Sequence, residues 1–535
     1  MLRLVTLVCL LLAVPVLGIL GSWLAMDAQA LDILRHQLQT VLPEYAQASL
    51  LLALSVALGV ALLGGATAAA VSLFEFPGRR FFEWGLLLPM AMPAYVAAYA
   101  YTDALQYSGP LQSWLREVSG AQGALWPDVR SLPGAVVLFV LCLYPYVYLL
   151  TRTALNERGV ALMEAARMLG AGTWRRVREV ALPLARPALA AGIALTLMET
   201  LADYGVGAYF GLTTLTTGIY KAWLVMNDKT AAAQIASVLL LAVAALLWLE
   251  RRAQARLRFA GSRSGALHAA EARPLPLRGG AAAGAAALCT LPILLGFVVP
   301  VAVLLRLLWQ EALHNELGLP MERFAQWSLA SLKLAGLAAL LAVLLAGVLA
   351  WLARVRQGGL MLKLAGRVVA LGYAVPGAVI AIGILLPLGW LQERWPQLGL
   401  PALLTGTVLG VLYAYLVRFS GVALQSLEAG YARISPTLDE TARMLGASRT
   451  RLFLELHAPL LLRSAWAAAL LVFVDVMKEL PATLVLRPFN SDTLAVVAYQ
   501  LARDERLGEA ALPSLAIVVV GLIPVIMLSR ALRQR

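Results

Sequence analysis

Apolar stretches long enough to cross a bilayer recur along the whole 535-residue chain, separated by short polar, Arg-rich segments. A bilayer core needs about 20 apolar residues per helical span. On that measure, spans fall near Leu4–Ala25, Ala48–Val71, Phe82–Leu105, Leu132–Leu150, Ala188–Tyr204 and Ala231–Leu249. A second set falls near Ala281–Leu308, Leu329–Ala353, Val368–Leu391, Leu403–Leu424, Leu460–Leu480 and Leu512–Leu532. The pattern predicts an all-α polytopic membrane protein of about twelve transmembrane helices. The first span carries Arg3 and a small-residue site at Ala28-Gln29-Ala30, as a signal peptide would. Its apolar run exceeds the roughly 7–15 residues of a signal segment, so it reads as an uncleaved helix.

Composition agrees with that class. The chain is 61% hydrophobic and 14% charged, with a mean hydropathy of +0.79, outside the range of soluble proteins. The formal net charge of +13 raises the question of a nucleic-acid partner. Its distribution answers no. With the N-terminus in the cytoplasm, about two thirds of the Lys and Arg fall in alternate, cytoplasmic segments, as topology rules require. These segments hold Arg79 and Arg80, Arg152 to Arg186, Arg251 to Arg278, Arg354 to Arg367, Arg433 to Arg463, and Arg530 to Arg535. Both termini are then cytoplasmic. Cys9, Cys142 and Cys289 all sit in apolar spans without metal-type spacing and read as packing residues. His36, His268, His314 and His457 are scattered, with no ligand spacing, and His457 reads as a surface or packing residue.

One polar string is written twice. Ala-Arg-Met-Leu-Gly occurs at Ala166–Gly170 and again at Ala442–Gly446, with Glu164 and Glu440 two residues upstream and Pro183 and Pro459 downstream. Glu440 lies 276 residues after Glu164, nearly half the chain. Leu143-Tyr144-Pro145-Tyr146 resembles Leu412-Tyr413-Ala414-Tyr415, and Pro93-Ala94-Tyr95-Val96 resembles Pro376-Gly377-Ala378-Val379. The chain thus reads as a first membrane domain, 1–250, a cytoplasmic linker, 251–280, and a second membrane domain, 281–535. Six spans per half put both loops on one side, so the repeat is parallel. The linker, rich in Arg, Ala, Gly and Ser, reads as flexible.

Within each loop, good helix formers run to a Gly that reads as a helix stop. Thr173 is placed to cap a second short helix in the first copy. Met168, Leu169 and Trp174 make an apolar anchor, rimmed by Arg167, Arg175, Arg176 and Arg178. The second copy offers Met444, Leu445 and Phe453 with Arg443, Arg449 and Arg451.

These loops resemble the "EAA" loop of membrane subunits of ATP-binding-cassette importers: Glu-Ala-Ala, three residues, Gly, nine residues, Ile-x-Leu-Pro. In the first copy, 164–183, Glu164, Ala165, Ala166, Gly170 and Pro183 match, with Val180 for Ile. In the second, 440–459, Glu440, Ala442, Gly446 and Pro459 match, while Thr441, Leu456 and Ala458 depart. The resemblance implies the type I importer permease fold in a bacterial inner membrane. It implies loops seated on two cytoplasmic ATPase subunits, and a periplasmic binding protein docked on outer loops such as Asp103–Arg130 and Arg487–Glu509. No Lys follows a Gly, so the chain has no P-loop. ATP and Mg are then used by the partner, and the chain is expected to bind no cofactor and to be no enzyme.

Met198-Glu199-Thr200-Leu201-Ala202-Asp203-Tyr204-Gly205, Lys478-Glu479-Leu480-Pro481-Ala482-Thr483 and Leu486-Arg487-Pro488-Phe489-Asn490 resemble segments of fused ferric-iron permeases. Fused permeases for thiamine and aminoethylphosphonate share that architecture. Glu199 and Asp203 are four apart on one helix face, and Asp475 and Glu479 repeat the spacing. Two readings stand for these acids: a substrate pathway suited to a hard cation, with Tyr144, Tyr146, Tyr413 and Tyr415 adding oxygens, or structural pairing with bases such as Lys478 or Arg418. A secondary transporter driven by an ion gradient also has two six-span halves, but no use for two such loops.

Overall fold

The computed structural model describes residues 2–261, 274–315, 318–355 and 360–533. These residues form helices joined by turns, plus two short strands, Phe74–Glu75 and Leu275–Pro276. Eight helices among them are long and apolar enough to cross a membrane, or ten if each of two bent helix pairs is one span. Two of the expected spans are bent helix pairs. The expected span Phe82–Leu105 is broken into Arg79–Ala91 and Ala94–Ser119, bent by 88°, and Val368–Leu391 into Leu364–Gly372 and Gly377–Arg394, bent by 114°. Each break falls at a proline, Pro93 or Pro376, in extended backbone just ahead of the second helix. Proline also pushes the residue before it out of helical geometry. Helix Leu409–Tyr431 is not among the eight. Arg418 and several hydroxyls lower its hydropathy and serve contacts inside the protein, the usual fate of intramembrane polar groups. The apolar helix Leu494–Arg503 is shorter than a span.

Prolines also mark three helical widenings. Val177–Ala181, Leu294–Val298 and Leu452–His457 are π-helical and precede Pro183, Pro300 and Pro459. Proline supplies no N–H and its ring crowds the carbonyl four residues back. The helix takes up the misfit in a wider turn instead of ending.

The chain divides into two compact units that differ from the sequence halves. Unit I comprises Leu38–Gly218, Leu241–Leu319 and Ala498–Arg535. Its core is the helix triplet Val41–Leu73, Leu132–Met168 and Leu182–Ala202. Gly64 lets two of these approach closely, since a Cβ there would meet the Val147 Cβ at 2.8 Å. Small residues are the usual means of close helix packing in lipid. Helix Val299–His314 packs on Ala94–Leu105 and Leu507–Arg533 in the same unit. The ends of the expected flexible linker are ordered. Helix Lys229–Gly261 runs into it, and Leu275–Pro276 pairs in parallel with Phe74–Glu75, where Leu277 N–H donates to Glu75 O at 2.8 Å. His268 lies outside the described residues.

Unit II comprises Met1–Gln37, Ile219–Leu240 and Pro320–Val497. Its core is the matching triplet Met321–Val355, Leu409–Tyr431 and Ala458–Lys478. Helix Leu2–Ser22 packs on Gly377–Arg394, where a Cβ on Gly18 would lie 2.7 Å from Gly383 O. The first helix of the sequence thus belongs to the unit built on the second half. The duplication reaches single bonds: Ser49 Oγ accepts from Leu215 N–H at 2.9 Å in unit I, and Ser331 Oγ from Leu494 N–H at 2.8 Å in unit II.

Candidate functional site

The two loops end their first helices in the same way. In the first, helix Leu132–Met168 stops at Gly170, whose φ is 81°. Gly170 N–H donates to Arg167 O at 2.9 Å and Ala171 N–H to Ala166 O at 3.0 Å. In the second, helix Pro436–Met444 stops at Gly446, φ 80°, with Gly446 N–H on Arg443 O and Ala447 N–H on Ala442 O, both at 3.0 Å. This paired capping satisfies the last carbonyls and needs a left-handed residue, hence glycine. A short helix follows each turn, starting at Thr173 and at Arg449, the latter capped by Ser448 Oγ. Pro183 and Pro459 then open the next long helices. The i,i+4 pairs Arg175–Glu179 and Arg451–Glu455, both at 2.9 Å, occupy equivalent positions.

The caps push two apolar side chains outward at each apex. Met168 and Leu169 are 83% and 88% exposed, Met444 and Leu445 89% and 82%. Ala165 and Glu440 are exposed, and Ala166 and Ala442 half-buried. The side chains of Glu164, Thr173 and Trp174 lie outside the described residues. Two expected surface residues turn inward: Arg176 is buried, and Phe453 packs edge-on against Trp351 with ring centroids 5.5 Å apart.

The loops differ in how they join the membrane helices. The first loop helix continues a single 37-residue helix. The second is cut off from Leu409–Tyr431 by a turn and restarts at Pro436, with Ser435 as cap. Beside that cut, Asp439 is buried in a cluster that sequence reading missed. Arg354 Nε donates to Asp439 Oδ2 at 2.9 Å, and a second guanidinium nitrogen donates to Ile434 O at 2.9 Å. His457, with no exposed surface, meets Asp439 Oδ1 through Nε2 at 3.1 Å. The carboxylate accepts only, so His457 carries the proton on Nε2, leaving Nδ1 to face the Tyr431 hydroxyl at 3.5 Å. Burial alone would raise the Asp439 pKa, but the Arg354 and His457 hydrogen bonds outweigh it and hold it below the usual aspartate value. His457 is therefore a buried partner of a charge and not a surface residue. Nothing in the loop's own sequence pairs Asp439 with Arg354, 85 positions earlier.

Two of the four acidic positions, Asp203 and Glu479, cap helix ends. Asp203 closes helix Leu182–Ala202, and its Oδ1 accepts from Val206 N–H at 2.8 Å. It borders a small cavity lined by Ser49, Thr200, Thr214 and Thr216. Glu479 closes helix Ala458–Lys478 and is almost fully buried. Its carboxylate accepts from Ala482 N–H at 2.9 Å and Thr483 N–H at 3.0 Å, and pairs with Arg418 at 3.2 Å. Glu199 and Asp475 are half-buried. Among the described residues, no group of three or more His, Cys, Asp or Glu is placed to hold a metal ion.

Residues 61–259 match the family model of the binding-protein-dependent transport system inner membrane component. The chain carries a permease domain of this family. It is also similar to the Fe(3+)-transport system permease protein FbpB 2 of Haemophilus influenzae, at 24% identity over 90% of this chain and 88% of the relative. The sulfate transport system permease protein CysT of Escherichia coli is 28% identical over 46% of this chain and 89% of its own. A putative 2-aminoethylphosphonate transport system permease protein, PhnU of Salmonella choleraesuis, is 27% identical over 37% of this chain and 70% of its own.

In this permease, three of the four tyrosines expected to add ligand oxygens have their hydroxyls in structural bonds. Tyr144 donates to Leu86 O at 2.9 Å, Tyr413 donates to Leu11 O, and Tyr415 meets Thr483 Oγ1 at 2.7 Å. The expected outer loops are built differently in the two units. In unit I, Asp103 pairs with Arg306 and Arg130 with Glu505 at 3.6 Å. A cavity of about 270 Å³ lies between Gln106, Gln112, Trp126 and Arg130. In unit II, Phe489 stands 98% exposed beside Asn490, whose φ is 60°.

Proposed function

We propose that this permease is the membrane-spanning subunit of an ATP-driven importer, and that Met168–Leu169 and Met444–Leu445 seat on two cytoplasmic ATPase subunits. The observation that carries this reading is the pair of identically capped apices, each presenting an exposed Met-Leu dipeptide. Exposed apolar side chains rimmed by charge suit a protein partner better than water. The ATPase-coupling residues that build these apices are Glu164, Ala165, Ala166, Gly170 and Pro183 in one loop and Glu440, Ala442, Gly446 and Pro459 in the other. The ATPases supply ATP and Mg chemistry, and each loop moves with the subunit it holds. A periplasmic binding protein delivers the cargo, with the exposed Phe489 in its docking surface.

Ferric iron is the favoured cargo. Support comes from the iron-permease relative, whose similarity spans 90% of this chain and hence both halves. The sulfate and aminoethylphosphonate relatives cover less than half of it, at slightly higher identity, and keep an oxyanion as the second reading. Uptake of radiolabelled Fe(III), sulfate and 2-aminoethylphosphonate into cells with and without this chain separates them. Iron uptake that does not depend on the chain removes the iron reading. Uptake that persists without any ATPase subunit removes the importer reading altogether.

A further inference from the structure

We propose that Asp439 is a positioning residue that carries ATPase motion from the second loop into the membrane helices of unit II. The inference rests on the coupling-loop reading above. The first loop needs no such residue. Its helix is the end of the continuous helix Leu132–Met168, so a push on Met168 and Leu169 passes along an unbroken backbone. The second loop has lost that route. The helix Leu409–Tyr431 stops, the chain turns through Ala432–Ser435, and Pro436 restarts it without an N–H to bond backwards.

Asp439 supplies the missing connection with side chains. One carboxylate oxygen takes Arg354, in the last turn of helix Met321–Val355. The other takes His457, at the entry to helix Ala458–Lys478. Arg354 also holds Ile434 O inside the turn, and His457 faces Tyr431 at the end of the severed helix. One buried carboxylate thus ties the loop helix to two spanning helices and, through Arg354 and His457, to the stump of a third. Charge-assisted bonds of this kind are short, directional and stronger than neutral ones. At the 276-residue offset of the twin loops, Met163 and Ala181 stand in place of Asp439 and His457. In the second loop a break in the helix and a buried ionic link occur together.

The test uses the full chain in complex with its ATPase in lipid nanodiscs. Hydrogen exchange is followed with and without ATP and vanadate, at the first turns of Ala458–Lys478 and of Leu182–Ala202. In the unmodified complex, nucleotide changes exchange at both. With Asp439→Asn, the response at Ala458–Lys478 is lost, the response at Leu182–Ala202 stays, and the ATPase still co-purifies. Asp439→Glu, which keeps the charge, recovers part of the lost response. A merely structural role would alter exchange with and without nucleotide alike, which overturns the proposal. It is also overturned if both responses survive Asp439→Asn, if both are lost, or if the ATPase no longer binds. If Asp439→Asn does not reach the membrane, Arg354→Lys is read by the same criteria, since it keeps charge but loses the two-pronged grip. No response at either helix in the unmodified complex sinks the coupling-loop reading itself, and this inference with it.

Discussion

Asp203 and Glu479 do the same local job 276 residues apart: each ends a long helix and caps the short one that follows through its side-chain carboxylate. Their backbones match as well, with φ/ψ of −72°/129° and −70°/119°. Glu479 adds Arg418, which Asp203's half lacks at the equivalent helix position. Removing Arg418 strands a buried carboxylate, which costs about 3–5 kcal/mol. Arg418→Ala should therefore lower the thermal unfolding midpoint of the purified permease markedly, and Glu479→Gln less. An unchanged midpoint in Arg418→Ala would remove the pair from the stability of unit II.

Space around that pair is set by Gly377. A Cβ there would lie 2.6 Å from Glu479 Oε1 and 2.9 Å from the Arg418 guanidinium. Gly377→Ala should cost roughly 1–3 kcal/mol, the usual range for overpacking. It should also make Glu479→Gln nearly silent, because the pair is already forced apart. Additive losses in the double variant would contradict that.

The amide variants Glu199→Gln, Asp203→Asn, Asp475→Asn and Glu479→Gln separate the two roles open to these acids. An amide oxygen still accepts a backbone N–H, so Asp203→Asn keeps its cap, and a transport defect there would point to the charge. Normal transport of Fe(III) by all four variants would leave only a structural role for these acids.

Gly170 and Gly446 have φ near +80°, which costs other residues about 1–2 kcal/mol. A Trp at either position distorts the apex that presents Met168–Leu169 or Met444–Leu445. The expected outcome is a permease that reaches the membrane but no longer co-purifies with its ATPase. Full recovery of the ATPase by both variants would take the docking role away from these loops.

The Asp439 carboxyl titrates below its ordinary value in the folded protein. A depressed folded pKa stabilises above the unfolded value, about 3.9, and the contribution is lost as pH falls through the folded one. The groups facing it are Arg354 and His457, with Tyr431 on the far side of the imidazole. Amide protection of Pro436–Met444, corrected for intrinsic exchange, should hold steady down to about pH 4 and fall only below it. In Asp439→Asn that acid step should vanish. An acid step that persists in the variant would assign it to another group.

Much of this organisation was legible in the linear chain, because it depends on local chemistry. Apolar run length is enough to place helices in a bilayer, and Gly170 and Gly446 stop helices for reasons contained within five residues. The repeat could be seen because both copies kept those local requirements. Where Pro93 and Pro376 divide an apolar run, the expected span is a bent helix pair, since hydropathy counts composition and not direction. Phe453 and Arg176 were placed on the surface because helical spacing does not say which neighbour covers a face.

The sequence by itself determined the class and the positions of the twin loops, both consequences of periodicity and backbone limits. Only the tertiary structure decided that helix Leu2–Ser22 joins the second half's core, and that three of the four tyrosines expected as ligands bond inside the fold. It also decided that Asp439 is a buried link to Arg354 and His457. The reason is physical. Helix partners in lipid are chosen by close packing at small residues such as Gly18 and Gly383, and ionic partners by proximity. Neither leaves a periodic trace along the chain.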